Sequence, residues 1–211
     1  MSKQPVIVFD LGGVLIDWNP YHLYRKMFDS DEEIKQFIEE TSILKWNEKQ
    51  DEGRPFSEAV KLLSAQHPRY DKHIRAFHER WVEMISGEIK GTVEILAQLR
   101  EQEYELHALS NWSAETYPFA RSRFEFLTWF QEIVVSGYIN LIKPDPRIFA
   151  HLLGKIEQKA EDCIYIDDSK VNFESAQKLG FQAIHFQSPE KLREELLQLG
   201  IELNNAEART Q

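Results

Sequence analysis

The sequence is poor in the features that mark secreted and membrane-spanning proteins. Its 211 residues include a single cysteine, Cys163, which excludes an internal disulfide framework and favours a reducing compartment. No apolar run approaches the roughly 20 residues that a membrane-spanning helix needs. The apolar segment 5–9 near the N-terminus is too short for a signal sequence. We therefore expect a cytoplasmic protein.

Positive charge is also scarce. Lys and Arg total 25 against 35 Asp and Glu, which gives a formal net charge of −10, and the sequence has no basic cluster. Nucleic-acid-binding proteins usually carry a basic face. Nothing in the sequence therefore indicates a nucleic acid, a membrane or an obligate protein partner. An anionic ligand would need local compensation from a metal, a lysine or backbone N–H groups.

Most of the chain alternates between two kinds of pattern. Helical spacing of apolar residues, as in 92–102 and 146–157, separates short apolar or β-branched segments. Asp145 and Pro146 fit the N-cap and the first position of the second of these helices. The predicted strands cover residues 5–10, 104–110, 132–136, 163–168 and 182–186. Strands that alternate with helices predict an α/β fold with a five-stranded parallel sheet.

Residues 17–90 interrupt this alternation, because they contain only helical patterns. The predicted helices there cover residues 20–28, 31–41, 43–50, 57–66 and 71–85. We therefore predict a small all-helical cap domain, 17–90, inserted after the first strand. The core domain then comprises residues 1–16 and 91–211.

Polar side chains gather at the carboxyl ends of the predicted strands, where ligands bind in open parallel sheets. An acid, a hydroxyl, a lysine and an acidic pair are expected to converge on this edge. The segments that supply them are Asp10-Leu11-Gly12-Gly13, Ser110-Asn111-Trp112, Lys143-Pro144-Asp145-Pro146 and Asp167-Asp168-Ser169.

These four segments, within FDLGGVL, LSN, KPDPRIF and YIDDSKVNFESAQKLG, resemble the four motifs of the haloacid-dehalogenase-like hydrolase superfamily. The resemblance covers roughly residues 5–188, with order and spacing in agreement. It implies a doubly wound, Rossmann-like α/β core with a mobile cap. Within the superfamily, the chain is similar to a branch that removes phosphate from sugar phosphates, including hexose 1-phosphates.

The resemblance assigns chemical roles to three of the segments. Asp10 corresponds to the nucleophile, whose carboxylate would form an aspartyl-phosphate and divide one displacement into two. Ser110 and Asn111 would hold the phosphoryl oxygens. Lys143 would neutralise both Asp10 and the group being transferred. These residues predict a phosphatase that acts on a small phosphorylated substrate.

The acidic pair predicts a magnesium ion. Adjacent carboxylates at a strand end repel each other, and a hard cation makes that arrangement more tolerable. The resemblance implies that Asp168 is a direct Mg²⁺ ligand, with Asp167 close behind or acting through water. Asp10 and the backbone carbonyl of Gly12 would complete the protein ligands. Asn172 either orients this shell or makes local hydrogen bonds at the start of a helix.

Gly12 departs from the phosphatase pattern, which places a general acid–base aspartate two residues after the nucleophile. General acid–base help is worth about 10²–10⁴-fold in rate. Its loss is a small part of the total acceleration of phosphate-ester hydrolysis, which reaches about 10²¹-fold. Asp17, at the entrance to the cap, is the first candidate for a replacement proton donor.

Substrate specificity is expected to come from the cap, which excludes water when it closes. Segment 45–54 resembles the turn that family members lower onto the active site, with Trp46, Glu48 and Arg54 as candidate contacts. Trp18 and Trp112 are candidate pocket walls, since a flat aromatic face suits a sugar ring. For each tryptophan, ordinary packing is the alternative interpretation.

Two other functions compete with the phosphatase. A 2-haloacid dehalogenase shares the aspartate nucleophile, also has no second aspartate and needs no metal, but typically carries a Ser-Ser-Asn-type fourth motif where this chain has Asp167-Asp168. A non-catalytic binding protein on the same scaffold would explain Gly12. It would not explain why Asp10, Lys143 and the acidic pair are all present.

Overall fold

A computed structural model describes residues 4–204, so the ends of the predicted core domain, 1–3 and 205–211, lie outside it. Five strands correspond to the five predicted ones: β1 (Val6–Phe9), β4 (Leu106–Ser110), β5 (Glu132–Val135), β6 (Cys163–Asp167) and β7 (Gln182–His185). They form one parallel sheet in the order β5-β4-β1-β6-β7, which confirms the α/β fold class.

Strand β1 lies at the centre of the sheet and is buried on both faces. Ile7 and Phe9 belong to one apolar cluster, whereas Val6 and Val8 belong to the other. Alternate residues of a strand point to opposite faces. A strand covered on both sides is therefore continuously apolar, as this sequence is. The pairing register of β1 with its two neighbours places the carboxyl ends of β1, β4 and β6 side by side.

Helices cover both faces of the sheet and fill most of the insertion. In the core, Asp145 caps the helix that begins at Pro146 by accepting a hydrogen bond from the Arg147 N–H at 2.9 Å, as predicted. The α-helices are α1 (Pro20–Tyr24), α2 (Asp31–Thr41), α3 (Ile43–Asp51), α4 (Phe56–Gln66), α5 (Asp71–Glu79), α6 (Lys90–Glu101), α7 (Tyr117–Arg123), α8 (Ser136–Ile139), α9 (Pro146–Ile156), α10 (Lys170–Lys178) and α11 (Pro189–Gln198).

The two ends of the insertion pair with each other, which the sequence pattern did not predict. Strand β2 (Ile16–Trp18) runs antiparallel to β3 (Ile85–Glu88), and the segment between them is helical. The helix predicted over 71–85 ends at Glu79 and is followed by the 3₁₀ turn Trp81–Met84. Strands of three and four residues carry little periodicity, and their partners are distant in sequence. We propose that this ribbon joins a core domain (1–16 and 91–211) to a cap domain (17–90).

The end of α3 and the segment that follows it contact the core directly. The Ser136 hydroxyl donates to the carbonyl of Asp51, and the Phe56 N–H donates to Glu115 Oε1 at 2.8 Å. Gly53 has φ +110°, and a Cβ at this position would lie 2.0 Å from Asn140 Oδ1. Glycine suits this approach, because L-residues disfavour that conformation and a Cβ would have to displace the Asn140 side chain.

Within residues 4–204, no helix is long and apolar enough to cross a membrane.

Candidate active site

A cavity of about 330 Å³ lies between the carboxyl ends of β1, β4 and β6 and the cap. Pockets for small ligands usually measure about 300–1,000 Å³, so this one suits a small metabolite. It is lined by Asp10, Gly12, Gly13, Trp18, Asn47, Asp51, Trp81, Ser110, Asn111, Trp112 and Asp168.

Lys143 connects the two buried carboxylates at this edge of the sheet. Its Nζ lies 3.0 Å from Asp10 Oδ1 and 2.8 Å from Asp167 Oδ2, and it donates to the Leu109 carbonyl at 2.8 Å. The Lys143 side chain is fully buried. A buried ammonium is tolerated only when it is paired and hydrogen-bonded, and here three oxygens surround it. Asp10 and Asp167 raise the pKa of Lys143 more than burial lowers it, so the lysine stays charged.

Asn111 holds the backbone of Lys143 in place. Its Oδ1 accepts from the Lys143 N–H at 2.8 Å, and its Nδ2 donates to the Lys143 carbonyl at 3.0 Å. This reciprocal pair joins the end of β4 to the lysine segment. Asn111 lines the cavity, but these two bonds give its side chain a positioning role. Ser110, at the end of β4, is buried and also lines the cavity.

Asp167 is fully buried and surrounded by donors. Besides Lys143, its carboxylate accepts hydrogen bonds from the Tyr165 hydroxyl, the Ser169 N–H at 2.8 Å and Asn172 Nδ2 at 3.2 Å. Asn172 thus contacts Asp167, which favours the interpretation that it orients the acidic shell. These bonds engage both oxygens of Asp167, so this residue is suited to positioning Lys143.

The Asp168 carboxylate lies against the loop after β1, at Gly13, because Gly13 has no side chain. A Cβ on Gly13 would lie 2.3 Å from Asp168 Oδ2, and Gly13 has φ +76°. Both the space and the conformation therefore require glycine here. Gly12 differs, because a Cβ there would meet no atom within 4 Å and its φ is not positive.

The three carboxylates form a cluster that fits a divalent cation. Asp10, Asp167 and Asp168 each offer an oxygen, and these atoms all lie within 4.8 Å of one another. Burial raises the pKa of Asp10 to about 7; Lys143 opposes this rise, and Asp167 and Asp168 add to it. Burial and Asp167 likewise raise the pKa of Asp168. One lysine does not fully offset three acids, and hard carboxylate oxygens are the donors that Mg²⁺ prefers.

Several predicted contacts of the cap lie elsewhere. Trp46 packs inside the cap, where its Nε1 donates to the Ala59 carbonyl and its ring meets Phe56 and Phe77 edge-on. The Arg54 guanidinium donates to Gln50 Oε1 and to the Trp46 carbonyl. Neither residue lines the cavity, nor does the exposed Glu48.

Asp17 also lies apart from the cavity lining. Its carboxylate accepts a hydrogen bond from the Ser86 hydroxyl across the β2–β3 ribbon and lies 3.1 Å from His22 Nε2. These contacts hold the Asp17 side chain on the ribbon, and its role as a replacement proton donor stays a prediction.

The cap contributes residues that the sequence pattern did not single out. Asn47 and Asp51 lie one turn apart on α3 and both line the cavity. Trp81 joins Trp18 and Trp112 as an aromatic wall, with the Trp81 and Trp112 rings 5.4 Å apart. The four-residue spacing of Asn47 and Asp51 was the available signal, since residues i and i+4 share a helix face.

The chain belongs to the family of haloacid dehalogenase-like hydrolases, whose model matches residues 7–186. This assignment agrees with the parallel sheet and with Asp10, Ser110 and Asp168 at the cavity, where Lys143, from the loop after α8, contacts Asp10.

Two curated relatives resemble the chain at low sequence identity. The chain is 26% identical over 116 residues to flavin mononucleotide hydrolase 1 of Arabidopsis thaliana, covering 55% of this chain and 47% of that protein. It is 23% identical over 182 residues to a phosphorylated carbohydrates phosphatase of Thermotoga maritima, covering 85% and 83%. The chain therefore spans about half the length of the first relative and most of the second.

Solved structures share the fold. A HAD family enzyme of Bacteroides thetaiotaomicron, in complex with magnesium and inorganic phosphate, superposes with a TM-score of 0.68 at 23% identity. The match covers 88% of this chain and 96% of that one. At this identity the likeness establishes the common architecture.

Proposed function

We propose that the protein is a Mg²⁺-dependent phosphatase that hydrolyses a small phosphorylated metabolite through an aspartyl-phosphate on Asp10. One observation carries the proposal. The Asp10 carboxylate lines the cavity, lies 3.0 Å from the Lys143 ammonium, and shares a 4.8 Å cluster with Asp167 and Asp168. A strand-end carboxylate with a buried cation and further acids beside it suits phosphoryl transfer.

In the proposed reaction, an Asp10 oxygen attacks phosphorus, and the bond from phosphorus to the ester oxygen breaks. Lys143 favours the ionised form of Asp10 and balances the negative charge that the phosphoryl group brings. Ser110 and nearby backbone N–H groups hold phosphoryl oxygens, while Asn111 fixes the position of Lys143 through its backbone. Water then cleaves the aspartyl-phosphate and releases inorganic phosphate.

Asp10, Asp168 and the carbonyl of Gly12 would hold the Mg²⁺, with Asp167 behind them. When bound, the ion supplies positive charge that lowers the barrier to nucleophilic attack on a phosphate dianion. Charge compensation of this kind is needed, because the whole chain has a net charge of −10.

The cavity favours a sugar phosphate as substrate. Trp18, Trp81 and Trp112 present flat apolar faces to it, while Asn47 and Asp51 present polar atoms. This combination suits a sugar ring, which has apolar faces and a polar rim. A hexose 1-phosphate also supplies a comparatively good leaving group through its anomeric oxygen. The proposal requires no nucleic acid, membrane or second protein, and it is compatible with a cytoplasmic location.

Phosphate release from a panel of phosphorylated metabolites tests the proposal. We expect turnover of sugar phosphates with Mg²⁺, loss of turnover with excess chelator, and recovery when Mg²⁺ is restored. Asp168→Asn should raise the Mg²⁺ concentration needed for half-maximal activity. Glu161→Gln removes one negative charge from an exposed residue far from the cavity and should leave that concentration unchanged.

The two competing functions predict different results in the same experiment. A metal-independent dehalogenase would release halide from a 2-haloacid in excess chelator and would not release phosphate. A non-catalytic binding protein would release neither. Either result would overturn the proposed phosphatase.

A further inference from the structure

The cavity has one ionisable side chain that the proposed reaction has not yet used. Among the residues that line it, Asp10 is the nucleophile and Asp168 belongs to the acidic cluster. The remaining lining residues are glycines, tryptophans, a serine and asparagines, with a single exception: Asp51. The position that carries the proton donor in related phosphatases is Gly12, which has no side chain.

Asp51 enters the cavity from the cap, opposite the strand ends. It is the last residue of α3, and its own backbone carbonyl is hydrogen-bonded by Ser136 of the core. Asn47, one turn earlier, donates from Nδ2 to Asp51 Oδ2 at 2.9 Å. Asn47 thus holds the carboxyl while Ser136 fixes the backbone of the same residue, so Asp51 has a defined position in the cavity lining.

The surroundings of Asp51 favour its protonated form. Burial raises the pKa of Asp51 to about 7, a backbone hydrogen bond from Ser113 opposes this, and Glu48 and Asp10 add to the rise. No basic side chain within residues 4–204 forms an ion pair with it. An acid that keeps its proton near neutral pH is suited to general acid catalysis.

We propose that Asp51 is the catalytic proton donor for the leaving group, supplied by the cap in place of the side chain that Gly12 does not have. This inference rests on the proposed phosphatase function. As the phosphorus–oxygen bond breaks, its electron pair goes to the ester oxygen, which takes the Asp51 proton and departs as an alcohol. Asp51, now a carboxylate, takes a proton from the water that attacks the aspartyl-phosphate, which returns it to the acid form.

Asn47 supports this step as a positioning residue. Its Nδ2 fixes the Asp51 carboxyl, and its buried Oδ1 has no hydrogen-bond partner among the described residues. A hydroxyl of the substrate would satisfy that oxygen. The cap would then bind the alcohol portion of the substrate next to the group that protonates it.

The test compares two esters with different leaving groups in Asp51→Asn and the wild type. A primary-alcohol phosphate such as glucose 6-phosphate needs a proton on its departing oxygen, whereas p-nitrophenyl phosphate does not. We expect Asp51→Asn to lower kcat/KM for the sugar ester by about 10²–10⁴-fold, and that for the nitrophenyl ester by less than tenfold. Glu52→Gln, at the adjacent exposed residue, is the matched control and should change neither value.

The second half of the reaction gives an independent readout. Without a base for the attacking water, Asp51→Asn should release a burst of nitrophenolate and then turn over slowly. Its intact mass, measured during the slow phase, should include one added phosphoryl group. A merely structural role for Asp51 would produce neither the burst nor the added mass.

A second substitution that restores activity would distinguish loss of the proton donor from damage to the cavity. The space around the Gly12 Cβ position and its backbone conformation both admit a side chain. Gly12→Asp in the Asp51→Asn background should therefore recover much of the lost kcat/KM for the sugar ester, with circular dichroism confirming the fold. Equal losses for both esters in folded Asp51→Asn, with an active wild type, would overturn this inference alone. A wild type inactive on both esters would remove the proposed function as well.

Discussion

The cavity has a core wall, which includes Asp10 and Asp168, and a cap wall, which includes Asn47 and Asp51. Both walls are acidic, but their charges are balanced in different ways. On the core side, Asp10 and Asp167 share the buried Lys143 ammonium. On the cap side, Asp51 receives an amide hydrogen bond from Asn47 and no ion pair within the described chain. Burial raises the pKa of both Asp10 and Asp51 to about 7, but only Asp10 has an ammonium beside it that favours the charged form. A cation held by the acidic cluster would strengthen that preference on the core wall.

This difference matches the two tasks in the proposed reaction. A nucleophile must be ionised before it attacks phosphorus, and a nearby cation favours that form. A proton donor must be neutral until the leaving group departs, and burial without a cation favours that form. Two aspartates with similar pKa values are thus distinguished by the Lys143 ammonium beside Asp10, which suits them to opposite roles. Variants of Asp10, Lys143 and Asp51 test this difference between the two walls.

The largest effect is expected from Asp10→Asn on the core wall. An amide is a poor nucleophile, so kcat should fall by at least about 10⁴-fold, as for nucleophiles that act in a catalytic unit. The fold should persist, because the side chain lies at a strand end and contributes little to the core. Steady-state phosphate release and thermal unfolding would be measured together. Retention of more than a few per cent of activity in a folded variant would show that the nucleophile is misassigned.

The next effect is on stability and comes from Lys143→Met. Removing the ammonium leaves Asp10 and Asp167 buried without their cation, and breaking a buried ion pair costs about 3–5 kcal/mol. Denaturant unfolding at neutral pH without added metal would measure this loss. The cap control is Lys49→Met, which breaks an exposed pair with Glu52 and should cost at most about 1 kcal/mol. Similar losses in the two variants would mean that the core wall is not charge-balanced by Lys143.

The smallest effect should have the opposite sign: Asp51→Asn should stabilise the fold at high pH. The pKa of Asp51 is about 7 in the fold and 3.8 as a model value. The folded state therefore holds the proton more tightly than the unfolded state. Its contribution to stability is complete below about pH 4 and is lost as the pH rises through about 7. One pKa unit corresponds to about 1.36 kcal/mol, so we expect a gain of about 2–4 kcal/mol at pH 8 and little change at pH 4.

Unfolding of Asp51→Asn and wild type across this pH range, without metal, would check the prediction. Glu52→Gln provides the exposed control and should shift the free energy of unfolding by no more than about 0.5 kcal/mol at either pH. A wild type that is as stable as Asp51→Asn at pH 8 would show that Asp51 ionises without cost. The contrast between the two walls would then disappear.

The same contrast explains what the sequence could and could not predict. The core wall is built from strand ends, and parallel strands bring their carboxyl ends together whatever the details of packing. Asp10, Ser110 and Asp168 could therefore be grouped from their position after apolar segments, whereas Lys143 follows α8 and not a strand. The five strands were recognisable because burial on both faces makes them continuously apolar.

The cap wall was not predictable in this way. A helix shows which residues share a face, but not which face meets the core. Within segment 45–54, the residues singled out were Trp46, Glu48 and Arg54, whereas α3 turns Asn47 and Asp51 towards the cavity. The predicted helix also ended at residue 50, one position before Asp51.

The bare backbone at Gly53 has a consequence for substrate range. Because φ is +110° and a Cβ would lie 2.0 Å from Asn140 Oδ1, any side chain at position 53 would displace Asn140 or push the segment after α3 away from the core. That segment follows Asp51 directly, and Asp51 lines the cavity, so a Gly53 variant is expected to alter how the cap closes over bulkier phosphate esters.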